Sequence, residues 1–137
     1  VAQGRPRMAV VNGHARAYSP KKASSWRGSA QVHMLRAIDG VGSCPAGVPL
    51  HVAIEAVWPQ PASAPKRDWS LRRYRPSRPD SDNVGKAVLD AGNGILWHDD
   101  AQVVVLHVVK VTGARREEPR VTVVVHAMDP ALSVLPA

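Results

Sequence analysis

Five aspartates fall between Pro79 and Asp100 (Asp80, Asp82, Asp90, Asp99 and Asp100) against the single Lys86, so this segment carries a balance of −4. The whole chain has the opposite sign, with 18 Lys and Arg against 11 Asp and Glu and a net charge of +7 with His neutral. Carboxylates gathered inside a cationic protein suit an enzyme that attracts a polyanion and places a divalent cation on it. Asp80-Ser81-Asp82-Asn83 sets two carboxylates two residues apart at the entry to an expected helix, where both can face one side. A third acid from the edge of the following strand would complete an oxygen-rich face for Mg²⁺. Asp99 and Asp100 are adjacent in an extended segment and face opposite ways, so only one of them is expected to join directly. Lys86 lies one helical turn after Asp82, in reach of the charge on a transferring phosphate. The plainer reading is a charge-mixed surface in which Asp82 caps a helix, Asp80 is a solvated loop acid and Asp82 with Lys86 is an ordinary (i, i+4) pair.

The basic residues are segregated as well. Seven precede the first acid, Asp39: Arg5, Arg7, Arg16, Lys21, Lys22, Arg27 and Arg36. Between Lys66 and Arg78, six (Lys66, Arg67, Arg72, Arg73, Arg75, Arg78) stand against Asp68, immediately before the acids. Phosphates held there would be brought toward a metal, so Arg5, Arg7, Lys21, Lys22 and the six residues of this loop are the expected contacts to the phosphates of a polyanion. His98 is expected at a loop or strand edge rather than as a general base, and His51, His107 and His126 sit in strand patterns as structural residues. Trp58, Trp69 and Trp97 could contact bases, with packing the expected fate of Trp97. Cys44, the one cysteine, excludes an internal disulfide and makes a poor nucleophile in its Gly/Pro loop. No GxxxxGK[ST] or GxGxxG motif is present, which leaves a P-loop NTPase or a dinucleotide enzyme unsupported.

The elements that must position these groups fit one domain of 137 residues, 45% hydrophobic, with no Phe. Val10 and Val11 before Asn12-Gly13 indicate a hairpin over Arg7 to Tyr18. Ser24 or Ser25 is a suitable cap for a helix to about Ile38, with Trp26, Ala30, Met34 and Ala37 along one face. Leu50 to Trp58 alternates as a half-buried strand. Pro59 to Pro79, with five prolines, is a candidate mobile or substrate-contacting loop. A helix capped by Asp82 follows, carrying Val84, Val88, Ala91 and Ile95 at helical spacing until Gly92 and Gly94 weaken it. Gln102 to Thr112 and Arg120 to Met128 read as an antiparallel hairpin across the polar turn 113–119, with a loose tail over 129–137. The order of strands and helices implies an α+β (mixed α/β) domain, a small mixed sheet packed against two helices.

The motif Asp80-x-Asp82-Asn83-x-x-Lys86-x-x-x-Asp90-Ala91, with Asn93-Gly94-Ile95 and Asp99-Asp100-x-Gln102-Val103, resembles the core signature of the RusA family of Holliday junction resolvases. Gly4-Arg5-Pro6-Arg7 and Ala17-Tyr18-Ser19-Pro20-Lys21-Lys22 are similar to N-terminal motifs of its phage-borne members, so the likeness runs from Gly4 to about Met128. The resemblance implies a small homodimeric endonuclease that depends on Mg²⁺, with Mn²⁺ able to substitute, and nicks two strands of a four-way DNA junction symmetrically. It places the metal on Asp80, Asp82 and Asp100 and the functional lysine on Lys86. Asp99 is then left to orient a water or a basic side chain. The chain departs from the family pattern at Gly92, where Leu is usual, at Gln3, where Lys is common, and in lacking most of a first strand before Arg5-Pro6-Arg7. That last departure leaves an exposed sheet edge or a disturbed dimer.

The expected activity is therefore structure-selective phosphodiester hydrolysis by an activated water, in one domain spanning 1–137. A non-catalytic basic DNA-binding accessory protein is the main alternative, weakened by aspartates that would repel phosphate without a metal. A small nucleotide phosphohydrolase would not need six basic residues in one loop. No apolar run approaches the ~20 residues of a membrane span, so a cytoplasmic place in a bacterial or phage-infected cell is expected. The chain opens at Val1 without Met, so further natural N-terminal residues are also expected.

Overall fold

The computed structural model describes residues 6–11, 14–18 and 23–129, with side chains from Trp26 onward. Six strands form one mixed sheet: β1 (Pro6–Val11), β2 (His14–Tyr18), β3 (Leu50–Trp58), β4 (Arg73–Tyr74), β5 (Val103–Thr112) and β6 (Arg120–Ala127), in the order β1-β2-β6-β3-β5-β4. Helix α1 (Ala23–Ile38) lies between β2 and β3 in the chain, and α2 (Ser81–Gly92) between β4 and β5. The result is the expected α+β domain with two helices on a mixed sheet.

β3 is the organising strand. Leu50, Val52, Ile54 and Ala56 alternate with less buried residues and are at most 2% exposed. They meet Ala30 and Met34 of α1, Val84, Val88 and Ala91 of α2, and Val121 and Val123 of β6 in one apolar cluster. Trp26 and Ala37 pack against its margin, which completes the expected face of α1.

The antiparallel pairing of β1 with β2 confirms the first hairpin, although the Asn12-Gly13 turn is outside the described residues. The second hairpin is corrected. β5 and β6 do not pair, because β3 stands between them, parallel to β5 and antiparallel to β6. Two apolar runs joined by a polar turn do satisfy a local hairpin pattern. The seven residues 113–119, however, easily cross the ~10 Å that a two-strand offset requires, and burying β3 on both edges satisfies all of its backbone.

Two helix starts also shift. α1 begins at Ala23, so Ser24 and Ser25 stand inside its first turn. Asp80, extended at ψ 154°, is the N-cap of α2, and Asp82 falls in the first turn, where a carboxylate still favours the helix dipole. Of the expected tail, residues 130–137 lie outside the described residues.

Candidate nuclease site

The acid-bearing segment is pinned from β5. Lys110 Nζ donates to the carbonyls of Ser77 and Pro79, both at 2.8 Å, and Arg75 N–H donates to Lys110 O at 2.9 Å. These bonds hold Asp80, and with it the start of α2, at the C-terminal end of β5. Val84, Val88 and Ala91 fasten the helix to the core, and Gly85 lets it sit close to the sheet. A Cβ on Gly85 would stand 3.2 Å from Leu106 Cδ2 and 3.3 Å from Val108 Cγ2. Asp80, Asp82 and Lys86 are left exposed at this end. Asp82 and Lys86 form no ion pair, and neither Asp80 nor Asp82 has a side-chain partner among the described residues.

The second acidic pair lies at the other end of α2. Asn93 Oδ1, just past the helix, accepts the Asp100 N–H at 3.2 Å. Gln102 knots this corner: its Oε1 accepts from the N–H groups of His98 and Asp99 at 3.0 and 3.1 Å, and its Nε2 donates to Pro45 O and Val48 O. The Asp99 carboxylate accepts the Ala101 N–H at 2.9 Å, closing a capping box with Gln102 over the 3₁₀ turn Asp100–Gln102. Asp99 is thus engaged in capping, whereas the Asp100 carboxylate has no partner among the described residues. Twelve residues of helix separate the two acidic ends by ~18 Å. The structure therefore brings Asp80, Asp82 and Lys86 together and places Asp100 elsewhere in the same chain. Among the described residues no three His, Cys, Asp or Glu side chains gather as a metal-ligand group. One copy thus offers two exposed carboxylates for a divalent cation and leaves the third apart.

The connection Pro59 to Pro79, expected to be mobile or to contact substrate, is a laced structure. Gln60 Nε2 donates to Asp68 O at 2.7 Å, Trp69 Nε1 to Ala64 O at 3.0 Å, and Arg115 N–H to Trp69 O at 2.7 Å. Several of its expected phosphate contacts are occupied. Arg72 pairs with Glu55 at 2.9 Å and Glu117 at 3.2 Å, and Arg73 pairs with Asp68 at 2.9 Å. The Arg75 guanidinium lies 4.9 Å from the Trp58 ring centroid and donates to Arg78 O. Lys66 lies over Trp69, Arg67 is exposed beside Asp68 at 3.8 Å, and Arg78 is exposed. Arg5, Lys21 and Lys22 are outside the described residues, and Arg7 lies in β1.

Burial tends to raise Glu117, but the Ala114 N–H together with Arg120 and Arg72 holds its carboxyl below the usual value. The hydrogen bond from Arg72 to Glu55 raises the guanidinium further above its ordinary range. Burial pushes the Cys44 thiol up, which agrees with its dismissal as a nucleophile.

Trp58 and Trp97, at 2% and 0% exposure, are core residues and unavailable to bases, whereas Trp69 is half-buried beneath Arg115 at 4.1 Å. His51 lies 4.9 Å from His107 and 6.1 Å from His126, centroid to centroid, on the sheet face away from the helices. Sequence reasoning missed Lys110, and it had Asn93 and Gln102 only as members of the motif, without their part in positioning the acids. It also gave no role to Glu55, whose one available signal was to be the only carboxylate in its strand.

The class defined by this arrangement is a basic α+β protein in which the exposed acids Asp80 and Asp82 follow a tethered cationic loop, as suits action on nucleic acid. The comparisons agree. The family model described as endodeoxyribonuclease RusA matches residues 1–126, and the chain belongs to that family. It is thereby a Holliday junction resolving endodeoxyribonuclease, acting on branched DNA. It is also 33% identical over 135 residues to the Bacillus subtilis (strain 168) protein YqaN, described as uncharacterized, covering 94% of this chain and 91% of that protein. Among the described residues, no helix is long and apolar enough to cross a membrane.

Proposed function

We propose that the chain resolves four-way junctions as a homodimer by paired, symmetric, Mg²⁺-dependent nicks, with Asp80, Asp82, Asp100 and Lys86 as the catalytic groups. The observation that carries this reading is that Asp80, Asp82 and Asp100 have no side-chain partner among the described residues, in a protein with 18 cationic side chains. A divalent cation held by such acids supplies positive charge to the scissile phosphate and acidifies a water. The chain's own residues do the rest. Lys110 holds the acid-bearing backbone in place, the exposed Lys86 neutralises charge on the phosphate, and the capped corner at Asp99 presents Asp100. Arg67 and Arg78, both exposed, with Arg78 two residues before Asp80, are the loop residues left for phosphate, joined by Lys66.

Two nicks related by a two-fold axis call for two identical sites. The test is cleavage of labelled four-way junction and matched linear duplex with Mg²⁺ or EDTA. Paired nicks in the junction, abolished by EDTA and absent from the duplex, are expected; metal-independent binding without nicking would favour an accessory DNA-binding protein.

A further inference from the structure

Asp80 is reached through Pro76-Ser77-Arg78-Pro79, a segment in which the two prolines have no N–H to donate. A backbone so short of its own donors keeps one path only if its carbonyls are engaged from elsewhere. The three carbonyls before Asp80 all are. Lys110 Nζ donates to those of Ser77 and Pro79, and Arg75 Nη2 donates to the one between them, Arg78 O, at 3.2 Å. The next carbonyl, that of Asp80 itself, accepts the Val84 N–H at 3.1 Å and opens α2. Each carbonyl from Ser77 to Asp80 is thereby fixed, the first three by cationic side chains.

These two cations are themselves held. Lys110 stands opposite Ala56, 1% exposed, in the register of β3 with β5, and its carbonyl accepts the Arg75 N–H. The Arg75 guanidinium lies against Trp58, and its Nε is buried with no hydrogen-bond partner among the described residues. A guanidinium meant for DNA phosphate keeps its donors in water, as the exposed Arg67 and Arg78 do. Arg75 instead gives up the hydration of Nε in order to reach a backbone carbonyl.

We propose that Arg75 and Lys110 are positioning residues, a two-cation clamp on the approach to Asp80 that presets the Asp80 and Asp82 pair for a divalent cation. Arg75 then serves the acids and not the DNA backbone, although it belongs to the basic run. The inference rests on the catalytic assignment above. Mg²⁺ accepts little departure from octahedral geometry, and residues that orient ligands from behind change metal affinity by ~10–100-fold when removed. Donating to carbonyls rather than to carboxylates leaves the oxygens of the acids for the cation.

Arg75→Met and Lys110→Met remove the donors while keeping apolar stems. In the metal-free protein, hydrogen exchange read by mass spectrometry should be about tenfold faster at the start of α2, the Val84 N–H included, with β3 unchanged. Calorimetric titration with Mn²⁺ alone, without DNA, should show affinity about tenfold weaker in either variant, and half-maximal nicking should need correspondingly more Mg²⁺. Junction binding in EDTA should keep its full salt dependence in Arg75→Met.

A lower urea midpoint with unaltered exchange and unaltered Mn²⁺ affinity would mean that the two cations only stabilise the loop, and overturns the clamp. So does a fall of about 1 in the slope of log affinity against log salt for Arg75→Met, which places that guanidinium on phosphate. Should Lys110→Met fail to fold, Arg75→Met decides alone, since its backbone bond to Lys110 is retained. If Asp82→Asn nicks normally, the catalytic assignment fails, while the exchange rates still decide whether the clamp holds the start of α2.

Discussion

Acids in two neighbouring parts of this molecule have opposite fates. Around the ends of β3 and β5, Glu55 and Glu117 share Arg72 and Arg120, and Asp68 holds Arg73, with separations of 2.9–3.8 Å. At the two ends of α2, Asp80, Asp82 and Asp100 hold nothing with their side chains among the described residues. The first group ties a proline-rich connection to the sheet. Around the second group the contacts go to backbone: Lys110 donates to carbonyls, and Gln102 and Asn93 fix the far corner through hydrogen bonds of their side-chain amides. In a chain with surplus positive charge, acids without a partner among the described residues are the ones to offer an external cation.

The largest effect should come from breaking this contrast on the unpaired side. Asp80→Asn and Asp82→Asn keep shape and capping ability but remove charge. Single-turnover nicking should fall by orders of magnitude, while gel-shift binding without metal is retained or tightens. Asp39→Asn, outside the cluster, should cleave normally; normal cleavage by both altered acids would remove the mechanism.

Next in size is Gly92→Leu, which restores the residue usual in the family. A Cβ at this position would stand 2.8 Å from Trp97 Cζ2 and 2.9 Å from Cη2, so the buried ring must move. We expect a loss of about 1–3 kcal/mol in urea unfolding. An unchanged midpoint would show that the corner leading to Asp100 is looser than its packing implies.

On the paired side, Arg72→Ala should cost stability, at no more than about 1 kcal/mol for each half-exposed pair, and leave the catalytic acids intact. Thermal unfolding beside nicking at saturating protein separates the two. Arg67→Ala with Arg78→Ala should instead spare stability, weaken junction and duplex binding alike, and lower the slope of log affinity against log salt by roughly 1–2. An unchanged slope would show that neither side chain meets phosphate.

The smallest effect is pH-dependent. Because folding lowers the Glu117 carboxyl, its contribution is fully present above the unfolded value near 4.5 and is lost as pH falls through the folded one. Glu117→Gln should therefore flatten stability against pH below about 4.5. A curve parallel to wild type there would remove Glu117 from the paired network.

Much of this was legible in the chain. β3 has the expected bounds because its two-residue alternation matches a strand buried on one face, and Ala30, Met34, Val84, Val88 and Ala91 are core residues as their helical spacing requires. The Asp80-x-Asp82 motif and its companions sufficed to indicate the family. Such features depend on residues close in sequence, where side-chain periodicity and motif spacing act directly.

Tertiary structure alone decided which strands adjoin and where charges find partners. Nothing local distinguishes a β5–β6 hairpin from two strands flanking β3, since both satisfy the same apolar runs. Arg72, Arg73 and Arg75 read as a phosphate patch until the fold brought Glu55 and Glu117 to Arg72, the Trp58 ring to Arg75, and the short 3₁₀ turn Lys66–Asp68 set Asp68 against Arg73. Asp100 follows Asp82 by only eighteen positions, yet α2 occupies most of that interval and sets the two at its opposite ends. The length of a helix converts nearness along the chain into separation in space.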